Sequence, residues 1–523
     1  MITLLDYGAG NVRSVINAIE RLGESVKIVK SGEDILTAQK LVFPGVGAFG
    51  SMMEILAQKE LIQPLKAYIQ ENRPFLGICL GLHALFDGSD EAPNIPGLGF
   101  ISGQVKRFKT NLSVPHIGWN GVVCHQPSVL WRGLEGKEKF YFVHSYHAVP
   151  DSKNFILCTT DYDLTFTSGI QKGNVMAVQF HPEKSGQTGL RVLNNFIQTH
   201  ENQSLPVQSV QNTRLSKRII ACLDVRANDQ GDLVVTKGDQ YDVREKGNVR
   251  NLGKPVELAR RYYEAGADEI TFLNITGFRD FPLVDMPMID VLKQTSQNVF
   301  VPLTIGGGIR DYTDANGQFY SALDVASAYF RSGADKISIG SDAVDIVAEY
   351  LKTNHKTGKS AIETIARIYG NQAVVISIDP RRIYVSGPED VSHQVLFTNN
   401  PGPNGEKYCW YQCTVKGGRE GRNVDAITLA QVCEKLGAGE ILLNCIDRDG
   451  TNLGFDIELI HAVRSAVSIP VIASSGAGCA EHFLDVFIQT KAESALAAGI
   501  FHRNEVPIQD VKRFLHSQVE IRQ

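Results

Sequence analysis

The sequence predicts an α/β protein of two units, an α/β sheet domain over residues 1–200 and a (β/α)8 barrel over 218–523. Three observations carry this. In the first two hundred residues, short apolar runs alternate with turn residues and helix-like stretches. Around His200 the texture breaks into a polar stretch, Glu201 to Ser209, that contains Pro206 and has neither helical nor strand period. Beyond Arg218 eight apolar strand candidates recur, each separated from the next by enough chain for a helix.

In the first unit the apolar runs are Val42-Phe43, Phe75-Leu76-Gly77-Ile78, Tyr141-Phe142-Val143 and Val175-Met176-Ala177-Val178. Residues 201–217 read as the interdomain linker. The second unit's strands are expected near 219–223, 269–274, 302–306, 336–339, 373–378, 440–445, 470–474 and 494–498. Their number and the span of about 300 residues fit a closed barrel, whose chemistry sits at the strands' C-terminal ends; a doubly wound sheet is the alternative. The second half of this unit also echoes the first. Ile219-Ile220-Ala221-Cys222-Leu223-Asp224 is answered by Val374-Val375-Ile376-Ser377-Ile378-Asp379, and Gly266-Ala267-Asp268-Glu269-Ile270 by Gly437-Ala438-Gly439-Glu440-Ile441. Two similar half-barrels set equivalent residues on opposite sides of one mouth, which suits a substrate with two similar ends.

Composition narrows the function. Charged residues are 21% and hydrophobic ones 43% of the chain, so it reads as soluble and globular. A net charge of −5 gives no basic footprint for nucleic acid. No apolar run is long enough to span a bilayer, and Met1 leads at once into strand-like Ile2-Thr3-Leu4-Leu5, so no membrane anchor or leader is expected and a cytoplasmic location is the default. Nine scattered cysteines fit a reducing compartment better than a disulfide framework. Cys409 and Cys413 lack a second ligand pair in metal-finger spacing, so neither a metal nor a cofactor is expected.

Phe75-Leu76-Gly77-Ile78-Cys79-Leu80-Gly81 ends a strand on a cysteine with glycines two before and two after, the small-residue pattern of a nucleophile elbow. Alone, such a cysteine reads more readily as core. Gln179-Phe180-His181-Pro182-Glu183 supplies partners: His181 can take the thiol proton and Glu183 can orient the ring. Pro44-Gly45-Val46-Gly47 offers backbone amides to an oxyanion, so the set points to acyl transfer by a thiol enzyme. These residues resemble a class I glutamine amidotransferase domain. More narrowly, Asp6-Tyr7-Gly8-Ala9-Gly10-Asn11, Pro115-His116-Ile117-Gly118-Trp119-Asn120 and Phe142-Val143-His144-Ser145-Tyr146 resemble the glutaminase of the imidazole glycerol phosphate synthase family. The resemblance implies Cys79, His181 and Glu183 as the triad, Gly47 near the oxyanion, and Glu91, Ser145 and Tyr146 around bound glutamine. One departure stands out: His83 occupies a site where the family usually has glutamine.

In the second unit, Asp224 and Asp379 each end a strand at repeat-related positions, so both are expected at the mouth as an acid–base pair. Gly306-Gly307-Gly308 with Gly340-Ser341, and Ser475-Gly476-Ala477-Gly478 with Ala498-Gly499, form two symmetric anion sites and suggest a bisphosphate. Arg218-Ile219-Ile220-Ala221-Cys222-Leu223-Asp224-Val225, Gly333-Ala334-Asp335-Lys336 and Asp447-Arg448-Asp449-Gly450-Thr451 resemble the cyclase of the same family, and the order of the two units is like that of the fused enzyme of fungi and plants. The resemblance implies glutamine and phosphoribulosyl-formimino-aminoimidazole carboxamide ribonucleotide (PRFAR) as substrates. It also implies Asp449 and Gly450 in the substrate site and Lys237 on a loop that closes over it, with the basic residues of Lys416–Arg422 near the mouth. Arg218, Glu269, Lys336 and Glu440 start strands one, two, four and six, and their alternating signs allow a ring of salt bridges. That ring is a structural plug or, as the resemblance implies, a gate for ammonia. Because both activities share one chain, a monomer is expected. The competing functions are a related barrel isomerase using two aspartates and two phosphate sites, and a first unit that is a silent docking module.

Overall fold

The computed structural model describes residues 1–523 apart from 9, 199–213, 237–243, 246–247, 250, 276–282 and 284–285. Lys237 therefore lies outside the described residues, as does most of the expected linker.

In the first unit five parallel strands stand in the order Val26–Ile28, Ile2–Leu4, Leu41–Gly45, Phe75–Cys79 and Val175–Val178. Antiparallel strands Leu164–Lys172, Tyr146–Pro150 and Gly103–Arg107 extend the sheet. Alternate residues of the central strands enter different cores. Val42, Leu76, Ile78, Met176 and Val178 pack with the helices Val12–Arg21 and Gly186–Ile197. Leu41, Phe43, Phe75, Val175 and Ala177 pack with Phe49–Gln58 and Ile62–Gln70. Burial on both faces is why these strands read as continuous apolar runs and not as alternating ones.

The second unit is a closed barrel. Its parallel strands are Arg218–Ala227, Glu269–Asn274, Leu303–Gly306, Lys336–Ile339, Val374–Ile378, Glu440–Asn444, Val471–Ser474 and Ser494–Ala497. The first and last pair with each other, Arg218 opposite Ser494 and Ile220 opposite Leu496, which excludes the open doubly wound sheet. The two-residue period of a strand sorts the interior into layers. Ile220, Val375, Leu442, Ile472 and Leu496 form an apolar layer. Two residues below it on the same strand faces stand Arg218 and Glu440, and four residues above Ile220 and Val375 stand Asp224 and Asp379.

The segment Lys416–Arg422, after the fifth barrel strand, is the turn and start of a hairpin. Tyr408–Val415 and Glu420–Asp425 pair antiparallel within a small sheet grafted after the fifth barrel strand. Tyr408–Val415 is rich in aromatic and β-branched residues, the composition that favours strand.

The N-terminal end of the barrel carries the first unit. Asn11 Nδ2 donates to Gly333 O at 2.9 Å and to Asp335 Oδ1 at 2.8 Å, Trp119 Nε1 donates to Asp268 O at 3.1 Å, and the Arg522 guanidinium stacks 4.1 Å from the Trp119 ring centre. Residues 216 and 217 belong to this seam: Ser216 N donates to Trp119 O and Lys217 N to Glu520 O.

Candidate active sites

The first site is assembled at the end of the strand Phe75–Cys79. Cys79 has φ 53° and ψ −102°, a left-handed backbone for a side chain with a Cβ, and the helix Leu80–His83 follows at once. Such strain costs about 1–3 kcal/mol and is kept where the surroundings enforce it. Here they do: a Cβ on Gly81 would lie 2.1 Å from Phe43 O and one on Gly77 2.8 Å from Gly81 O. The elbow closes tightly because both positions are glycine, and the thiol is turned into a pocket.

That pocket brings the predicted residues together. Cys79, His181, Gly47, His83, Glu91, Ser145 and Tyr146 all line it. His181 Nδ1 and Glu183 Oε1 are 2.8 Å apart, and both side chains are buried. Burial opposes a charged ring, yet the Glu183 carboxylate and the Cys79 sulfur outweigh it and hold the His181 pKa well above its ordinary value. His181 Nε2, on the far side of the ring from Glu183, is left to face the pocket and the Cys79 sulfur. Glu91 accepts from Phe49 N at 2.9 Å, and burial raises its pKa.

Sequence reasoning missed three participants here. Gln179 is buried and its Nε2 lies 3.5 Å from Cys79 Sγ. Gln372, from the barrel, lines the same pocket, and Ser145 Oγ donates to its neighbour Asn371 at 3.2 Å. Lys184, next to Glu183, is buried and pairs with Asp335 at 2.7 Å, the residue before Lys336. Gln179 stands inside the quoted His-Pro-Glu segment, whereas Gln372 and Lys184 act across the seam, where local sequence carries no signal.

The four charges at the strand starts close into a ring. Arg218 pairs with Glu269 at 2.8 Å and with Glu440; Lys336 pairs with Glu269 at 2.6 Å and with Glu440 at 2.7 Å. All four are buried, and Thr304 Oγ1 donates a further bond to Glu269 at 2.7 Å. Tyr141, from the first unit, sits against this ring: burial and the Glu269 carboxylate drive its pKa far up, and its hydroxyl has no partner among the described residues. The same residue's carbonyl accepts from His181 N at 2.9 Å, so Tyr141 touches both sites.

At the opposite end of the barrel Asp224, on strand one, and Asp379, directly after strand five, are half-buried. Asn444, which the sequence reading did not single out, donates to Asp379 Oδ1 at 2.8 Å and to Ser377 Oγ at 3.0 Å. Asp224 Oδ1 faces the Cys222 thiol at 3.9 Å. The glycine segments turn tightly at this end. A Cβ on Gly307 would sit 2.1 Å from Asn274 O, and one on its repeat counterpart Gly476 2.3 Å from Gly454 O. Gly308 and Ser475 have φ of 76° and 73°. Gly340 caps the helix that starts at Ser341, and Ala498 the one that starts at Gly499. Gly478 N donates to His482 Nδ1 at 3.1 Å. The hairpin turn reaches the first of these segments, Lys416 N donating to Ser341 Oγ at 3.2 Å. Asp449 is buried beside Gly450, whose φ is 73°. Among the described residues no group of three or more His, Cys, Asp or Glu side chains is arranged to hold a metal, and no helix is long and apolar enough to cross a membrane.

Comparison with known proteins matches both units. Residues 3–199 match the family described as class-I glutamine amidotransferase, and residues 218–507 that described as histidine biosynthesis protein. The chain is 59% identical to the chloroplastic imidazole glycerol phosphate synthase hisHF of Arabidopsis thaliana, over 100% of this chain and 89% of the relative. It is 53% identical to imidazole glycerol phosphate synthase hisHF of Schizosaccharomyces pombe, over 98% of each. The barrel alone aligns with imidazole glycerol phosphate synthase subunit HisF of Methanosphaera stadtmanae, at 42% identity over 58% of this chain and 96% of that subunit. With an elbow cysteine and its histidine–glutamate pair at one end of a closed barrel, and paired aspartates at the other, the chain belongs to the imidazole glycerol phosphate synthase family in its fused, two-unit form.

Proposed function

We propose that the chain hydrolyses glutamine in its first unit and uses the ammonia in its barrel to convert PRFAR to imidazole glycerol phosphate and aminoimidazole carboxamide ribonucleotide (AICAR), a step of histidine biosynthesis. The observation that carries this reading is the order of features along the barrel axis: the Cys79 pocket, Tyr141 joined by its carbonyl to His181 N and by its side chain to the charged ring, then the apolar layer with Asp224 and Asp379 above it. In the first unit, residues 1–200, the Cys79 thiolate attacks the glutamine amide carbon and His181 gives its proton to the leaving nitrogen. Water then opens the thioester with His181 as base, releasing glutamate. Glu183 holds the ring, Gly47 lies beside the oxyanion, and Glu91, Ser145, Tyr146 and His83 surround the substrate.

In the barrel, residues 218–523, Asp224 and Asp379 divide general acid and base work. The phosphates sit at Gly307, Gly308, Gly340 and Ser341 on one side and at Ser475, Gly476, Gly478, Ala498 and Gly499 on the other, with Asp449, Gly450 and Lys237 completing the substrate site. Residues 201–217 link the units. The extensive seam within one chain supports a monomer, and nine unpaired cysteines support a reducing, cytoplasmic setting.

Two variants probe the reading. Lys336→Ala takes one cation from the buried ring and leaves two carboxylates facing Arg218, a loss of about 3–5 kcal/mol of local stability. Product formed from glutamine is expected to fall about ten-fold relative to glutamate released, while free ammonia still supports cyclisation; equal loss with both nitrogen sources removes the gate. Asn444→Ala is expected to lower ammonia-dependent cyclisation about ten- to a hundred-fold, as expected for losing a hydrogen bond to a carboxylate. Steady-state turnover on the bisphosphate measures both, and aldose–ketose isomerisation in place of ring closure would overturn the reading.

A further inference from the structure

Gln179, which the reaction above leaves without a role, stands between His83 and the nucleophile. Its Oε1 is 2.8 Å from His83 Nε2 and its Nε2 is 3.5 Å from Cys79 Sγ. Both side chains are buried, and His83 Nδ1 has no hydrogen-bond partner among the described residues. Burial drives the His83 pKa down to about 4, against the Gln179 hydrogen bond; of the titratable groups around it, His147 and His144 are themselves driven toward the neutral form by burial, while Cys79, Glu91, Tyr146 and His181 line the same pocket. The ring therefore carries one proton, and two arrangements are open to it. With the proton on Nε2, His83 donates to Gln179 Oε1, and the carboxamide turns its NH2 to the sulfur. With the proton on Nδ1, a buried N–H is orphaned, Nε2 takes the Gln179 NH2, and the amide oxygen faces the sulfur. An orphaned buried N–H is rarer and costlier than an unpaired lone pair, which selects the first arrangement.

We propose that His83 is a positioning residue of the glutaminase: held as the Nε2–H tautomer, it fixes the Gln179 carboxamide so that its NH2 group supports the Cys79 thiolate. This rests on Cys79 being the nucleophile. A thiolate is stabilised by an N–H donor and opposed by an amide oxygen, so the orientation of one amide sets how much of the sulfur is reactive at neutral pH. Histidine at this position has a consequence that glutamine would share only in part. The Nε2 of a glutamine side chain can reach the place of the imidazole Nε2, but its amide can also turn the other way.

The test follows the pH dependence of Cys79 alkylation by iodoacetamide in the full chain, read on the Cys79 peptide by mass spectrometry. His83→Leu is expected to move the midpoint up by about one pH unit and to lower glutamine kcat/KM at neutral pH about ten-fold, with recovery toward higher pH. Gln179→Leu breaks the same chain from its other end and is expected to give the same shift, which keeps the test open if one variant folds poorly. The double variant should shift no further than either single one, and His83→Gln should restore most of the wild-type profile. An unmoved midpoint in both leucine variants, an additive double variant, or a His83→Gln profile as far displaced as His83→Leu each overturns the relay. Glutamate release by Cys79→Ala separates the two claims: retained turnover there sinks the nucleophile, whereas lost turnover with unmoved midpoints sinks the relay alone.

Discussion

Cys79→Ala is expected to abolish ammonia release from glutamine, by about ten-thousand-fold or more, while leaving ammonia-dependent cyclisation near the wild-type rate. The size follows from what the side chain does. Without sulfur there is no covalent intermediate, and His181 has no thiol to activate; the binding pocket and oxyanion amides that remain stabilise only the attack of water. The variant should fold, because alanine at φ 53° is strained no more than cysteine there and the elbow is enforced by Gly77 and Gly81. A second readout is available in the same protein. The sulfur contributes to the raised His181 pKa after burial and Glu183 have acted, so its removal lowers the pH at which the ring loses its proton, visible by NMR of the imidazole. Glutaminase turnover within ten-fold of wild type would remove Cys79 from the reaction.

The barrel was legible because its signal is local and repeated. Each of the eight expected strands lies within a residue or two of an observed one, except that the first runs on to Ala227, where it pairs with Leu233–Thr236. The charged ring was legible for a related reason: a charge at the first residue of a barrel strand points inward by the same parity as Ile220 and Leu442, and four such charges of alternating sign can satisfy one another. Closure was expected from the strand count and the half-barrel repeat, and the pairing of Arg218 with Ser494 decides it against the open sheet, whose apolar runs look alike. The elbow at Cys79 could be read because so tight a turn demands glycines at fixed offsets, a constraint written in sequence.

What escaped the sequence lies mostly across contacts between elements. Asn444 looks like an ordinary strand end until the neighbouring strand brings Asp379 beside it. Lys184 looks like a surface cation in a polar turn, yet it is buried against Asp335 because the barrel covers it. His83 could be seen as a departure, but its meaning depends on Gln179, almost a hundred residues away, and on burial that leaves the ring neutral. The hairpin around Lys416 escaped because its glycine-rich turn masked two strands that pair with each other and not with the barrel.

Asp379→Asn should lower cyclisation about a hundred- to ten-thousand-fold with glutamine and with ammonia alike, while glutamate release persists. The substitution preserves shape and one acceptor, so the loss reports proton transfer more than packing. Asp224→Asn is expected to cost a similar factor, because the two carboxylates stand at repeat-related positions, each four residues above the apolar layer, on strand one and just after strand five. Their surroundings differ, however. Asp379 accepts from Asn444, and its own carbonyl accepts from Thr414 N at 3.1 Å, whereas Asp224 Oδ1 faces the Cys222 thiol. Different surroundings are what let two like groups divide acid and base work. Ring closure and bond cleavage need both, so the ammonia-dependent rate should be bell-shaped in pH, with Asp379→Asn and Asp224→Asn each removing a different limb. If both variants erase the same limb, the two carboxylates do not divide the work, and the repeat symmetry of the barrel has been kept for binding two phosphates and not for acid–base catalysis.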